Sequence, residues 1–418
     1  MKKSKRHDKK STVIAHRNKE YRMINRVSKQ ELESRISRLI KELNDQVKNW
    51  DTAIIIDKIN QYYFTGTMQD GMLIIRRSGQ LAYFVRRSIE RARLECPLDC
   101  ILPMDTYRQA ANIIGAECGI TLLETERVTL DILNRIKKHF DMQEILPIDK
   151  LVFEVRSIKS SYELQLMEQA GRLHNDVLVN VVPTLLKEGM SELELSSRLY
   201  SKMLEMGHHG VTRFYMFQTE VFPGQVTFGD NSLFPTYYDS PGGMVGMSPA
   251  APVLGSRQRT LKKGDLVFID VGFGLEGYNT DKTQIYCYGA QPPEEAVIIH
   301  KKCLEIEHKT AALLKPGSST SDIYNSIVSE LDSDFMTNFM GFGNKTVNFL
   351  GHGIGLHIDE FPVIANGFSK PLKENMVIAI EPKKGIRGIG MVGSENTYIV
   401  TNEGGRCITG EGREIIQV

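Results

Sequence analysis

Four acids and one histidine stand at spacings that suit a metal centre. In LVFIDVGFGLEGYNTDKTQIYCYG, Asp270 ends one apolar run and Asp281 opens the next. In VIAIEPKKGIRGIGMVGSENTYIV, Glu381 ends an apolar run and Glu395 lies just before another. Burying an acid in such a run is costly unless a cation or hydrogen bonds compensate. A lone acid there is ordinarily a turn residue or a strand-end charge facing water. Four of them on paired strands, together with His352 between Gly351 and Gly353, need another explanation. Oxygen-rich ligation with one imidazole suits a pair of divalent first-row cations such as Mn²⁺, Co²⁺, Fe²⁺ or Zn²⁺. The glycines flanking His352 are expected to let the backbone crowd close to the metals.

The hairpin reading competes with a nucleotide reading, because Gly272, Gly274 and Gly277 have G-x-G-x-x-G spacing straight after a predicted strand. A dinucleotide site needs a helix to begin at those glycines. The β-branched and aromatic run YNTDKTQIYCYG follows instead, so the glycines are expected to turn a hairpin and bring Asp270 and Asp281 together across it.

The elements that must position these residues fall into two regions. At 418 residues, the chain is longer than one hydrophobic core usually serves. Residues 1–30 form a basic segment rich in lysine and arginine, expected to be a solvated tail. Residues 31–152 read as a mixed α/β domain, with a helix at ELESRISRLIKELNDQV, strands at TAIIID, GMLIIRR and LAYFVRR, and helices at IERARLE and YRQAANIIGAE. Residues 153–418 begin with two amphipathic helices. A Gly/Pro-rich stretch from Phe222 to Ser256 follows, too long for an ordinary connector and expected to be a functional loop set. Helices and acidic hairpins then alternate. A net charge of +1 gives no general reason to expect nucleic acid or a membrane as partner. No run of about 18 apolar residues and no export-type leader pattern occurs, so a cytoplasmic location is expected. The six cysteines are scattered, and CPLDC, with no second pair nearby, is read as structural rather than as a zinc site.

In order and spacing, Asp270, Asp281, His352, Glu381 and Glu395 resemble the metal ligands of the pita-bread metallopeptidases, the family of creatinase, aminopeptidase P and prolidase. NQYYFTGT (Asn60 to Thr67) and VRSIKSSYELQLMEQA (Val155 to Ala170) resemble that family's N-terminal signature and interdomain segment. The resemblance implies an α+β chain: a C-terminal pita-bread fold of two pseudo-symmetric halves around a curved antiparallel sheet, preceded by a creatinase-type α/β domain. It implies two divalent metal ions. Asp270 and Glu381 would each serve mainly one ion, Asp281 and Glu395 would bridge, and His352 would complete one sphere. It credits Glu381 with proton handling, and it implies a homodimer and a small peptide or small-molecule substrate.

Three positions depart from the family pattern. Asp359 replaces a second histidine seven residues after His352, Pro252 and Val253 stand where another histidine precedes the first ligand, and Gly393 replaces an arginine two before Glu395. Asp359 is expected to face the substrate, and His357, two residues earlier, to share its face if the segment is extended. His208 and His209 are further candidates. The leading function is an Xaa-Pro aminopeptidase or dipeptidase using metal-activated water. The alternatives are a non-peptidase enzyme of the same fold acting on a small C–N or C–S substrate, and a non-catalytic binding scaffold.

Overall fold

The computed structural model describes residues 26–418, so the basic segment expected to be a tail lies outside the described residues except at its end, where Lys29 already begins a helix. The chain divides into two compact units between Val155 and Arg156.

In the first unit, α1 (Lys29–Gln46) starts where Ser28 accepts the Glu31 N–H, and it buries Leu32, Ile36, Leu39 and Leu43 at helical spacing. A six-stranded sheet supplies the core. Its strands are β1 (Thr52–Ile55), β2 (Gly71–Arg76), β3 (Leu81–Val85), β4 (Ile101–Pro103), β5 (Glu117–Leu123) and β6 (Asp141–Pro147), in the order β4-β3-β2-β1-β5-β6. NQYYFTGT lies mostly on α2 (Lys58–Thr65), which ends at Gly66 in the left-handed conformation. Strands β4, β5 and β6 were not foreseen, because ILP is short and the other two mix polar residues into their runs. The six cysteines are free thiols.

The second unit has two half-sheets, each backed by helices. α3 (Ser161–Asp176) opens with a reciprocal cap between Ser160 and Glu163. With α4 (Glu192–Glu205) it packs Ala170, Leu195, Leu199 and Met203 into one core with Val226, Phe228, Val267 and Ile269. The first half-sheet contains β7 (Gly224–Phe228), β8 (Leu266–Leu275) and β9 (Tyr278–Cys287), with β8 central between the other two and Ile416–Gln417 beyond β9. β7 corrects the expectation that the Gly/Pro-rich stretch is all loop: GQVTF pairs with β8 along its whole length. After α5 (Glu294–Ala312) and α6 (Thr320–Val328) comes the second half-sheet. It is built from β10 (Phe349–Gly353), β11 (Glu360–Ala365), β12 (Val377–Ile380), the two-stranded flap β13 (Lys383–Ile386) and β14 (Gly390–Gly393), β15 (Asn396–Thr401) and β16 (Gly404–Cys407). The five-stranded order is β11-β10-β12-β15-β16, with its four interfaces antiparallel. The halves join where Thr283 of β9 bridges Glu395, with the Thr283 N–H donating to the Glu395 carbonyl at 3.2 Å. Among the described residues, no helix is long and apolar enough to cross a membrane.

Candidate active site

The seam between the half-sheets gathers the acids. β8 and β9 form the expected hairpin, turning at Glu276 and Gly277. Its register pairs Asp270 with Thr283 and Asp281 with Gly272, so the two aspartates share a face but lie diagonally, two residues out of step. A Cβ at position 272 would fall 2.9 Å from both Ile358 and Thr212 side-chain atoms, so a larger residue opposite Asp281 would have to push those side chains aside. In the second half, Ile380 pairs with Asn396, which sets Glu381 and Glu395 at the adjoining ends of β12 and β15. Thr397 fastens the seam by accepting the Asp281 N–H and donating to the Asp281 carbonyl, both at 2.9 Å.

His352 lies on β10, between β11 and β12, rather than in a loop. Its glycines also answer to the neighbouring strands. A Cβ at Gly351 would lie 2.2 Å from the Ala379 carbonyl oxygen, and one at Gly353 2.3 Å from that of Phe361. They let neighbouring strands close on β10 and so hold the ring in place. His352 Nε2 is 3.3 Å from Glu381 Oε1 and 3.8 Å from Glu395 Oε1.

The donor atoms of Asp281, His352 and Glu395 lie within 4.8 Å of one another, a grouping that could hold a metal ion. Glu395 Oε1 is buried with no hydrogen-bond partner, while Oε2 accepts from Thr283 Oγ1 at 3.1 Å. An unpaired buried carboxylate oxygen aimed at an imidazole and a second carboxylate is what a cation would satisfy. These residues therefore fit one divalent ion.

The other side of the cage was not foreseen. Lys383, wholly buried, places Nζ 3.0 Å from Asp270 Oδ2, 2.8 Å from Glu381 Oε2 and 2.6 Å from Glu395 Oε2. Burial opposes its charge, but the three carboxylates outweigh burial and hold its pKa well above the usual lysine value. Burial opposes charge on His352 too; Glu381, then Asp281, overcome it and raise its pKa to about 9. The acids share these two cations unequally. Burial, then repulsion from neighbouring carboxylates, pushes Asp281 and Glu395 well above the usual range. Glu381 is also penalised by burial, yet Lys383 and His352 bring it below its ordinary value.

The acids open into a cavity of about 370 Å³, walled by Phe214, Val221, Tyr238, Phe361 and Phe368. Asp359 lines it and accepts the Tyr215 N–H through Oδ1. Burial raises its pKa to about 6, against the pull of that hydrogen bond. His357 does not line the cavity. The chain bends from 355 to 359, so the alternation expected of an extended segment fails. The His357 ring lies instead 3.0 Å from Arg156 Nη2, in a buried cluster with Glu360 and Lys159. His208 and His209 also stand apart from the cavity and hold the tip of β8: Gly274 N–H donates to His208 Nδ1 at 3.0 Å, and His209 N–H to the Gly274 carbonyl at 2.9 Å. Pro252 and Val253 put no polar group into the cavity.

Residues 35–158 match the model of the creatinase/prolidase N-terminal domain, and residues 165–402 match that of metallopeptidase family M24. An uncharacterized peptidase of Staphylococcus aureus (strain USA300) is 28% identical over 392 residues, covering 90% of this chain and 99% of the relative. Among solved structures, the prolidase from Pyrococcus furiosus superposes with a TM-score of 0.72 at 24% identity, covering 90% of this chain and 100% of that one. The Xaa-Pro dipeptidase from Bacillus anthracis gives 0.76 at 22% identity, covering 93% and 100%. With more than half its length matched by the catalytic-domain model, the chain belongs to metallopeptidase family M24.

Proposed function

We propose that the chain is a metal-dependent peptidase that cleaves short peptides of the Xaa-Pro kind. The observation that carries this reading is the convergence of Asp281, His352, Glu381 and Glu395 at one end of an aromatic-walled cavity of peptide-fragment size. In this reading Asp281, His352 and Glu395 hold the ion, with Glu381 Oε1 beside the imidazole. A bound divalent ion would polarise the scissile carbonyl and lower the pKa of water near it. Glu381 accepts a proton during attack and returns it to the leaving amine, since it is the carboxylate kept ionised by its neighbours. Phe214, Val221 and Tyr238 offer an apolar wall to a prolyl ring. The name of the Bacillus anthracis neighbour supports the Xaa-Pro specificity, and so does that of the Pyrococcus furiosus prolidase.

Asp359 belongs to the same proposal as a substrate-facing group in place of an imidazole. An ionised carboxylate cannot donate a hydrogen bond, so it suits a cationic substrate group, such as a free α-amine. That feature also favours a second reading, in which the substrate is a small cationic C–N compound. Manganese as the native metal, a cytoplasmic location and a homodimer remain part of the proposal, carried by the family resemblance. The test is a screen of the Mn²⁺- or Co²⁺-loaded full chain against Xaa-Pro dipeptides, Xaa-Pro-Xaa tripeptides and small amidino or betaine-like compounds. Cleavage at Xaa-Pro bonds is expected. Turnover of the small compounds alone would shift the assignment to the second reading.

A further inference from the structure

Lys383 stands where a binuclear centre would need open coordination. Its ammonium contacts Asp270, Glu381 and Glu395, three of the five residues expected to bind metal, and so reaches acids of both half-sheets. Asp270 was expected to serve mainly one ion, and its Oδ2 is instead paired with Lys383. The remaining donors, from Asp281, His352 and Glu395, still converge.

The placement of Lys383 is built into the flap. Lys383 and Gly393 are directly paired across β13 and β14. Gly393 has φ of +136°, and a Cβ there would fall 2.3 Å from the Pro382 carbonyl oxygen, 2.6 Å from Lys383 Cα and 3.0 Å from Lys383 Cγ. No other residue could stand opposite Lys383 without displacing its backbone or stem. Position 393 is also where the family pattern has an arginine, so the cation missing from one strand reappears on its pairing partner.

We propose that Lys383 replaces one of the two metal ions, so that this chain holds a single divalent cation, on Asp281, His352 and Glu395, beside a fixed ammonium that occupies Asp270. An ammonium can donate hydrogen bonds and stabilise negative charge, but it cannot acidify a bound water as a metal does. Two divalent ions would balance the four carboxylates; one ion and an ammonium supply three positive charges, which leaves a centre better suited to a cationic substrate. The inference rests on reading these residues as a metal centre, not on the Xaa-Pro specificity.

Metal counting tests it. The full chain would be stripped with chelator, reloaded with Mn²⁺ or Co²⁺, desalted and measured by inductively coupled plasma mass spectrometry, with calorimetric titration in parallel. One ion per chain is expected for the wild type and two for Lys383→Ala, while Asp270→Asn should keep its one ion. Two ions in the wild type would overturn the proposal, as would a folded Lys383→Ala that still binds one. Should Lys383→Ala fail to fold, Asp270→Asn decides: loss of the bound ion there refutes the assignment. Failure of the peptide screen with a count of one would overturn the peptidase reading and leave this inference standing.

Discussion

Replacing Glu360 by glutamine should destabilise the catalytic unit by about 3 kcal/mol at neutral pH and remove part of its acid sensitivity. Glu360 is wholly buried at the start of β11. It pairs with Arg156, has Lys159 Nζ at 3.5 Å, and accepts the His357 N–H at 3.0 Å. Burial alone would raise its pKa, but Arg156 first and Lys159 next reverse this and bring it to about 2 from an ordinary 4.5. A carboxyl held at about 2 rather than 4.5 corresponds to about 3 kcal/mol of stability at neutral pH. That agrees with the ~3–5 kcal/mol typical of removing one partner from a buried ion pair. The pKa of Lys159 points the other way: it is lowered, because burial costs it more than Glu360 returns. Lys159 can therefore shed its proton when Glu360 loses its charge, which favours the lower end of the range. Arg156 cannot. Because the folded pKa of Glu360 is depressed, its stabilisation is complete above about pH 5 and is lost as pH falls toward 2. Urea unfolding of the full chain, followed by circular dichroism at pH 7 and pH 3, should show the variant well below wild type at pH 7 and closer to it at pH 3. A variant within about 1 kcal/mol of wild type at pH 7, or with the same loss on acidification, would falsify this account.

Asp359→Asn should keep its metal content, lose most turnover of the true substrate, and drop the limb of the pH–rate profile near pH 6, since burial raises the Asp359 pKa to that value. A raised carboxylate pKa costs stability progressively as pH climbs from the unfolded value of 3.8 to the folded value of about 6, and fully above it, so the same variant should be at least as stable as wild type at pH 8 by thermal melt; a marked loss would mean that Asp359 is mainly a structural residue. Gly351→Ala should cost about 2 kcal/mol or more and weaken metal binding, because its Cβ would meet the Ala379 carbonyl at 2.2 Å; wild-type melting and metal content would refute the strand-crowding account. Thr283→Val should leave the fold intact but reduce metal affinity, as Glu395 Oε2 loses the 3.1 Å hydroxyl that orients it; unchanged calorimetric affinity would show that Lys383 alone orients that carboxylate.

The acidic seam was legible because Asp270 and Glu381 interrupt or end apolar runs while Asp281 and Glu395 sit on their hairpin partners, and buried acids need a compensating cation wherever the fold places them. The glycine decoy at 272, 274 and 277 resolved for the same kind of reason: what followed had strand rather than helix character, and β9 runs through it. Other features depended on partners distant in sequence. Nothing in GHGIGLHIDE announces that Gly351 and Gly353 answer to carbonyls on β12 and β11. The placing of His357 failed because it assumed alternation through a segment that bends, and the guanidinium that holds its ring lies 201 residues away.

Lys383 is the instructive omission, because a signal was present. Glu381 and Lys383 are two apart, and in extended backbone such side chains share a face. A lysine two residues after a buried acid, at the edge of a proposed metal cage, had either to turn away or to enter the cage. Its neighbour shows the contrast: Lys384 turns toward the carbonyls of Phe335 and Thr337. The absent arginine at 393 was treated as a loss standing alone. In the β13–β14 register it is the partner of the gain at 383, and the glycine is the space that the new cation needs. Departures from a family pattern are therefore better weighed in cross-strand pairs than one by one, since a ladder can move a charge to its opposite position while the carboxylates it serves stay in place.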